Sequence, residues 1–320
     1  MSKVKVFIDG SEGTTGLKIF DRLSSRDDIE LIKIGSELRK DPSERAKCIN
    51  ASDVTFLCLP DVASRESVSL VGNDRTVIID TSTAHRTEDG WAYGFPELSK
   101  EFENRLKTSK RIAVPGCHAS GVIALVYPLI VAGVIGSDYP VSAYSLTGYS
   151  GGGKKMIAEY EGEGRSKYLD SPRAYGLTQS HKHLPEIKKV CGLNNNPVFC
   201  PIVADYYSGM ETTVTLDASL IKGLIKEKIY EVYKNHYLGK EFVKVASLDG
   251  VEEGFDKFIP SNALSGRDDM MIIVNGNDER VTVSAVFDNL GKGASGAAIE
   301  CMNIACGFEK TKGLVIGTEE

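Results

Sequence analysis

The chain has 320 residues, 42% hydrophobic and 26% charged, which is enough apolar material for two ordinary globular cores and excludes a disordered or fibrous chain. A formal net charge of −6 leaves no general basic field for nucleic acid or an anionic membrane surface, so neither is an expected partner, and any small anionic ligand needs local cations. Seven cysteines without paired spacing read as reduced thiols, and the apolar stretch Val4 to Ile8, broken by Lys5 and Asp9, is too short and polar for a signal-peptide core, so the expected location is cytoplasmic.

Short apolar runs at Val4 to Ile8, Ile29 to Ile34, Val54 to Leu59, Val77 to Ile79 and Ile112 to Val114 read as strands, with helical patterns such as Leu17 to Ser24 and Ala63 to Val71 between them. Strands separated by helices require parallel crossovers. The first third is therefore expected to be a doubly wound, mostly parallel α/β domain of Rossmann type.

Directly after the first strand comes Gly10-Ser11-Glu12-Gly13-Thr14-Thr15-Gly16, followed by a helical pattern. Glycines spaced by three let the backbone turn tightly against a pyrophosphate, which the N–H groups of the next helix stabilise, so Gly10, Gly13, Thr14, Thr15 and Gly16 are expected to bind a dinucleotide. Past the second strand, Ser36, Arg39 and Lys40 fit the extra phosphate of NADP, while Glu37 fits the ribose hydroxyls of NAD. NADP(H) is the favoured cofactor. Arg86 follows a strand end, where such folds bind ligands, and is a candidate for a substrate anion.

Val114-Pro115-Gly116-Cys117-His118 joins a strand to the most apolar run of the chain, Val122 to Ile135, which is short of the roughly 20 residues that span a bilayer and reads as a buried helix. Cys117 is thus expected at a helix N-terminus, where exposed N–H groups favour a thiolate. The other six cysteines read as packing residues.

Beyond Cys117 the strands lengthen and alternate, at Val141 to Leu146, Glu211 to Leu216, Met270 to Val274 and Val281 to Phe287, with a helix expected over Leu224 to Tyr237. This predicts an α+β domain with a mixed sheet, whose uncovered face is expected to join copies of the chain as a homo-oligomer, dimer or tetramer. The turn Ser150-Gly151-Gly152-Gly153 with Lys154 and Lys155 is a candidate anion nest. Of the five histidines, His85 and His236 read as peripheral and His118 as diverging from its neighbouring thiol, which leaves His181 and His183 as candidate acid or base. Their spacing from Cys191 and Cys200 matches no trusted zinc pattern, and no metal is expected. A helical tail from Ala294 to Cys306, capped by Gly307, returns the chain to the first domain, giving expected domains of 1–116 with 294–320 and of 117–293.

Taken in order, Gly10 to Gly16, Leu59-Pro60-Asp61, Asp80-Thr81-Ser82-Thr83-Ala84-His85-Arg86, Tyr93-Gly94-Phe95-Pro96-Glu97-Leu98, Pro115-Gly116-Cys117, Ser150 to Lys154, His181-Lys182-His183-Leu184-Pro185-Glu186 and Asp288-Asn289-Leu290-Gly291-Lys292-Gly293 resemble the N-acetyl-gamma-glutamyl-phosphate reductases in their short (type 2) form, within the wider aspartate-semialdehyde dehydrogenase-like group. The resemblance implies reduction of N-acetyl-glutamyl 5-phosphate by NADPH to the 5-semialdehyde in arginine biosynthesis. It also implies Cys117 as nucleophile, a histidine of the His181/His183 pair as base, with His183 preferred, and Asn289 near the nicotinamide. The expected course is a Cys117 thioester, hydride addition, and collapse of a thiohemiacetal, with the histidine first giving and then taking a proton near neutral pH. The same chemistry on another acyl phosphate such as aspartyl phosphate, and a dinucleotide sensor without turnover, are the alternatives.

Overall fold

The computed structural model describes residues 3–223, 225–248 and 257–317. The chain forms two compact units, Met1–Gly116 with Ala294–Leu314, and Cys117–Gly293 with Val315–Glu320.

In the first unit, six strands, β1 (Val4–Asp9), β2 (Ile29–Ile32), β3 (Val54–Leu57), β4 (Val77–Asp80), β5 (Ala92–Tyr93) and β6 (Arg111–Ala113), form a sheet of order β2-β1-β3-β4-β6-β5. Every pairing in it is parallel. Side chains alternate between two cores. Val6, Ile8, Phe56 and Ile79 meet α1 (Thr14–Ser24), α4 (Lys100–Thr108) and the late helix α9 (Gly296–Cys306) through Ile19, Leu23, Leu106, Ile299 and Met302. Phe7, Leu57 and Ile78 face the other way, toward Ile49 of α2 (Pro42–Ala51) and Val68 of α3 (Asp61–Ser69). The doubly wound expectation holds, and α9 returns as expected. The two-residue β5 lies below the length at which alternation can be read.

At the end of β1 the buried Asp9 carboxylate accepts from Arg45 Nε and Nη2, each at 3.1 Å, and from Ser67 Oγ at 2.8 Å. This knot ties β1 to α2 and α3. A buried charge of this kind persists only when paired and hydrogen-bonded.

The second unit opens with α5 (Cys117–Val131) and carries a seven-stranded sheet of order β11-β12-β13-β10-β7-β9-β8. Its strands are β7 (Ser142–Gly148), β8 (Arg173–Ala174), β9 (Val198–Ala204), β10 (Met210–Asp217), β11 (Val243–Val245), β12 (Met270–Asn277) and β13 (Arg280–Phe287). The β7/β9 and β11/β12 pairs are parallel and the rest antiparallel, so the sheet is mixed as expected. Pro201 interrupts the apolar stretch that becomes β9 and hid it from the sequence pattern. Three further helices, α6 (Gly153–Glu161), α7 (Leu184–Cys191) and α8 (Lys226–His236), complete the unit. The expected start of α8 at Leu224 lies outside the described residues. No helix among the described residues is long and apolar enough to cross a membrane.

Helix α5 packs against β10, β13, α7 and α8 and is buried on nearly every side. Pro128 within it has no N–H, so the carbonyl of Ala124, four residues earlier, loses its helical donor. Tyr237 Oη donates to that carbonyl at 2.7 Å, and Tyr233 Oη donates to the next, on Leu125, at 2.6 Å. The tyrosines flanking the end of α8 thus repair the break that the proline makes.

The tail departs from expectation. Leu314 still packs on the first core, but residues 315–317 belong with the second unit, whereas the whole of 294–320 was expected in the first domain. The reason is backbone pairing: Asp268 N–H donates to the Val315 carbonyl at 2.6 Å, Val315 N–H to Asp268 Oδ2 at 2.8 Å, and Lys244 Nζ to the Gly317 carbonyl at 2.7 Å. Residues 318–320 lie outside the described residues.

Tyr237→Phe leaves the Ala124 carbonyl buried without its tyrosine donor, and is expected to lower unfolding free energy by about 1–3 kcal/mol. Urea unfolding of the full chain, followed through a probe in the second unit, measures it; an unchanged midpoint would show that the proline break needs no repair.

Candidate functional site

The glycine turn in the first unit is built by sterics. Gly10 has φ +88°, and a Cβ there would stand 2.4 Å from the Cys58 carbonyl oxygen, while a Cβ on Gly16 would stand 2.3 Å from the Gly10 carbonyl oxygen. Both must be glycine for the chain's own reasons. Gly13 differs, because it has an ordinary φ of −70° and a Cβ there would make only normal contact, 3.4 Å from the Gly10 oxygen. Nothing inside the protein requires it. Helix α1 begins after Gly13 with no side-chain cap and no acidic residue in its first turn, so its positive end and first N–H groups have no side-chain acceptor. Thr14 Oγ1 is buried in that turn without a hydrogen-bond partner. A missing cap, an unsatisfied hydroxyl and a glycine without an internal reason together fit a phosphate-bearing ligand.

Ser36 and Arg39 are exposed beyond β2, and Arg39 forms an ion pair with Glu12 of the glycine turn. Ser36 Oγ bonds Glu37 Oε2 at 3.2 Å. The structure therefore brings the end of β2 to the turn, as a ribose-phosphate site requires.

His85 is not peripheral. It is buried, its Nδ1 lies 2.6 Å from Asp80 Oδ2, and its ring stacks on Trp91 at 4.0 Å. The same aspartate accepts from Ser64 Oγ and Ser82 Oγ, each at 2.8 Å, and so holds rigid the loop that carries Arg86. Alternation could not reveal this, since an Asp at a strand end usually faces solvent. Arg86 Nε donates to the Val114 carbonyl and Nη2 to the Thr81 carbonyl, both at 2.9 Å, so part of the expected anion-binding guanidinium ties down backbone.

In the second unit Cys117 is the first residue of α5 and half-buried. A Cβ on Gly293 would stand 3.0 Å from Cys117 Cβ, so that glycine keeps space beside the cysteine. Burial pushes the Cys58 thiol up to about 12 and Cys306 up to about 11, and pushes Cys191 up as well.

His118, the residue after the nucleophile candidate, is buried. Its Nδ1 lies 2.7 Å from Ser145 Oγ and its Nε2 lies 2.6 Å from Tyr175 Oη. Its ring centroid is 5.6 Å from that of His181 and 5.8 Å from that of His183, and those two are 4.7 Å apart. The three imidazoles and the Tyr175 phenol thus form one cluster. Burial, and then the neighbouring charges of His181 and Lys182, pull His118 down to about 3; burial, and then Lys182, pull His181 down to about 4. Both rings are held neutral at neutral pH. His183 is buried at the start of α7, and its backbone N–H donates to His181 Nδ1 at 3.3 Å. That bond makes Nδ1 the acceptor and leaves the His181 proton on Nε2. Burial, and secondarily the charge of Cys117, push the Tyr175 phenol up. Sequence reading missed Tyr175 and Ser145, which lie in stretches with no motif.

Asn289 is buried and holds the candidate anion loop. Its Oδ1 accepts from Gly209 N–H at 2.9 Å and its Nδ2 donates to Ser150 Oγ at 3.0 Å. Ser150 is buried in the single turn of 3₁₀ helix Tyr149–Gly152, with Gly151, Gly152 and Lys154 exposed beside it. Lys292 is buried with its Nζ 5.0 Å from the Phe242 ring centroid, a burial that its glycine-rich neighbours in sequence concealed.

Comparison with known proteins bears on both units. The family model described as semialdehyde dehydrogenase, NAD binding domain, matches residues 5–105, and that described as semialdehyde dehydrogenase, dimerisation domain, matches residues 117–289. The chain is 46% identical to the N-acetyl-gamma-glutamyl-phosphate reductase of a Chelativorans species, over 94% of this chain and 97% of that one. It is 41% identical to N-acetyl-gamma-glutamyl-phosphate reductase 2 of a Nostoc species, over 98% and 100%. In fold it is similar to aspartate semialdehyde dehydrogenase II of Vibrio cholerae, with a TM-score of 0.70 at 14% identity over 96% and 99% of the two chains. With near-complete coverage at this identity, the chain belongs to the N-acetyl-gamma-glutamyl-phosphate reductase family.

Proposed function

We propose that this chain is a cytoplasmic, homo-oligomeric enzyme of arginine biosynthesis that reduces N-acetyl-glutamyl 5-phosphate to N-acetyl-glutamate 5-semialdehyde and phosphate with NADPH, through a thioester on Cys117. The observation that carries the reading is a cysteine opening a buried helix, directly before His118, whose ring belongs to a cluster with His181, His183 and Tyr175. The N–H groups at that helix end favour the thiolate.

The Cys117 thiolate attacks the acyl carbon: a C–S bond forms, and the C–O bond to phosphate breaks with its electron pair leaving on the phosphate. NADPH, held by Gly10 to Gly16 and the start of α1, would supply the hydride that reduces the thioester carbon. The resulting alkoxide re-forms its C=O bond as the C–S bond breaks, which releases the aldehyde and regenerates the thiolate with no net proton. A neutral imidazole therefore suffices. His181, more accessible than His183 and with its proton held on Nε2, is the better donor of a hydrogen bond to that alkoxide. Lys154, the Gly151 and Gly152 amides and Arg86 supply positive charge for the substrate's anionic groups. On the cofactor side, Gly10 to Gly16 and the start of α1 take the pyrophosphate, and Ser36 with Arg39 takes the extra phosphate of NADP(H).

Purified protein is expected to reduce NADP in a phosphate-dependent reaction with N-acetyl-glutamate 5-semialdehyde, and far more slowly with aspartate semialdehyde. Cys117→Ser should abolish turnover while cofactor binding persists, and a fully active Cys117→Ser would end the thioester reading. His181→Ala should lower kcat by about 10²–10³-fold, the usual loss of one alkoxide donor. Because His181 titrates near 4, its acid limb in the pH profile should lie near pH 4, and a limb near 6.5 would count against this role. Gly13→Ala should leave thermal stability nearly unchanged yet weaken NADP(H) binding by about tenfold, since only the ligand needs the space. Calorimetric titration of the variant settles it, and unchanged affinity would remove the pyrophosphate from this turn.

A further inference from the structure

We infer that Gln179 is the positioning residue for His181: its side-chain amide pairs with the edge of β9 in place of a strand residue and so fixes the turn that seats the His181 ring against Phe199. The inference deepens the proposed function, on which it rests for the part His181 plays in the reaction.

The geometry starts where β8 ends. Arg173 stands opposite Val203 and Ala174 opposite Ile202, and Tyr175 N–H still donates to the Pro201 carbonyl at 3.0 Å. Continued in that register, Leu177 would stand opposite Phe199. Instead the chain leaves the ladder at Gly176, whose φ is +61°, and closes a turn in which Gln179 N–H donates to the Gly176 carbonyl at 3.0 Å. The departure takes away the strand partner of the Phe199 N–H and C=O. Gln179 replaces it from a single side chain: Phe199 N–H donates to Oε1 at 2.9 Å, and Nε2 donates to the Phe199 carbonyl at 2.8 Å.

The backbone shows that this clamp is made at a cost. Gln179 has φ +57°, and among the described residues Lys257 is the only other non-glycine residue with positive φ. Glycine or asparagine takes that conformation more readily, so the turn itself gives no reason for glutamine. The reach of its longer amide does.

What the clamp holds is the path to His181, two residues on. Phe199 is buried, and its ring meets those of His181 and His118 edge-on, at 5.2 Å and 5.4 Å between centroids. His181 also lies against Gly176, where a Cβ would stand 3.5 Å from His181 Cδ2 and 3.3 Å from Pro201 Cγ. One residue of β9 therefore anchors the turn through its backbone and walls the imidazole through its side chain. With Nδ1 engaged by the His183 N–H, the ring is fixed in place and in tautomer. The titratable and charged groups about it are His118 of α5 at 5.6 Å, Tyr175 after β8 at 5.9 Å, His183 at the start of α7 at 4.7 Å, and the adjacent Lys182. Gln179 holds the turn without adding a charge to that set.

The test is the titration of His181 by NMR in the full-length protein with labelled histidine, its signal assigned by loss in His181→Ala, alongside rates of phosphate-dependent NADP reduction. Gln179→Asn keeps an amide and suits the left-handed turn, but is one methylene too short for the clamp. It is expected to raise the His181 midpoint from about 4 by about one pH unit or more, because a released ring meets water. It should also lower kcat about tenfold with KM for NADP unchanged. Gln179→Glu isolates the clamp: a carboxylate accepts from Phe199 N–H but cannot donate to the carbonyl, whereas the neutral acid does both. A carboxyl set against a carbonyl takes up its proton above its ordinary range, so the rate of this variant relative to wild type should recover as pH falls from about 8 to about 5. An unmoved His181 midpoint in Gln179→Asn overturns the inference, and a relative rate independent of pH in Gln179→Glu overturns the clamp; if Gln179→Asn does not fold, Gln179→Glu alone decides. Absence of phosphate-dependent NADP reduction by the wild type would instead end the reductase reading and leave the NMR result standing.

Discussion

Helix α5 is buried so thoroughly that every polar group on it must find its partner within the protein, and that requirement arranges the second unit. Pro128 breaks the helix's own hydrogen bonding, and Tyr233 of α8 with Tyr237 just beyond it donate to the carbonyls there. His118 at the other end cannot reach water, so β7 contributes Ser145 and the segment after β8 contributes Tyr175. Cys117 shares that helix end. The same packing that satisfies α5 therefore assembles the polar surroundings of the thiol.

Burial also sets the protonation of the cluster. Imidazoles removed from water and placed near Lys182 lose their affinity for protons, so His118 and His181 are hydrogen-bonding groups rather than proton stores. Chemistry that passes through a thioester tolerates this, because hydride addition and collapse exchange an alkoxide for a thiolate without consuming a proton. What the site needs is donors aimed at developing negative charge, and neutral rings with fixed tautomers supply them.

In the first unit the division of labour falls among glycines. Gly10 and Gly16 answer to the protein's own backbone, and Gly13 answers only to a ligand. The buried Asp9–Arg45–Ser67 and Asp80–Ser64–His85 knots secure strand ends on the edge where the turn and the Arg86 loop emerge. Charges buried in this way hold geometry rather than add stability.

Much of this was legible in one dimension because it depends on local rules. Periodicity located most of the parallel strands and most of the long strands of the mixed sheet, turn chemistry located the glycine loop, and Pro-Gly before an apolar run located a cysteine at a helix start. Where the local signal failed, a partner distant in sequence had decided the outcome. Pro201 disguised β9 until β7 and β8 flanked it, Asp80 drew His85 inward, and pairing with Asp268 took residues 315–317 away from the tail's expected domain. By itself the sequence determined the order of elements, the family and the position of the candidate nucleophile. Only the tertiary structure decided which histidines stay neutral and which glycine is left for a ligand, because burial and hydrogen-bond partnership arise between segments that are neighbours only once the chain has folded.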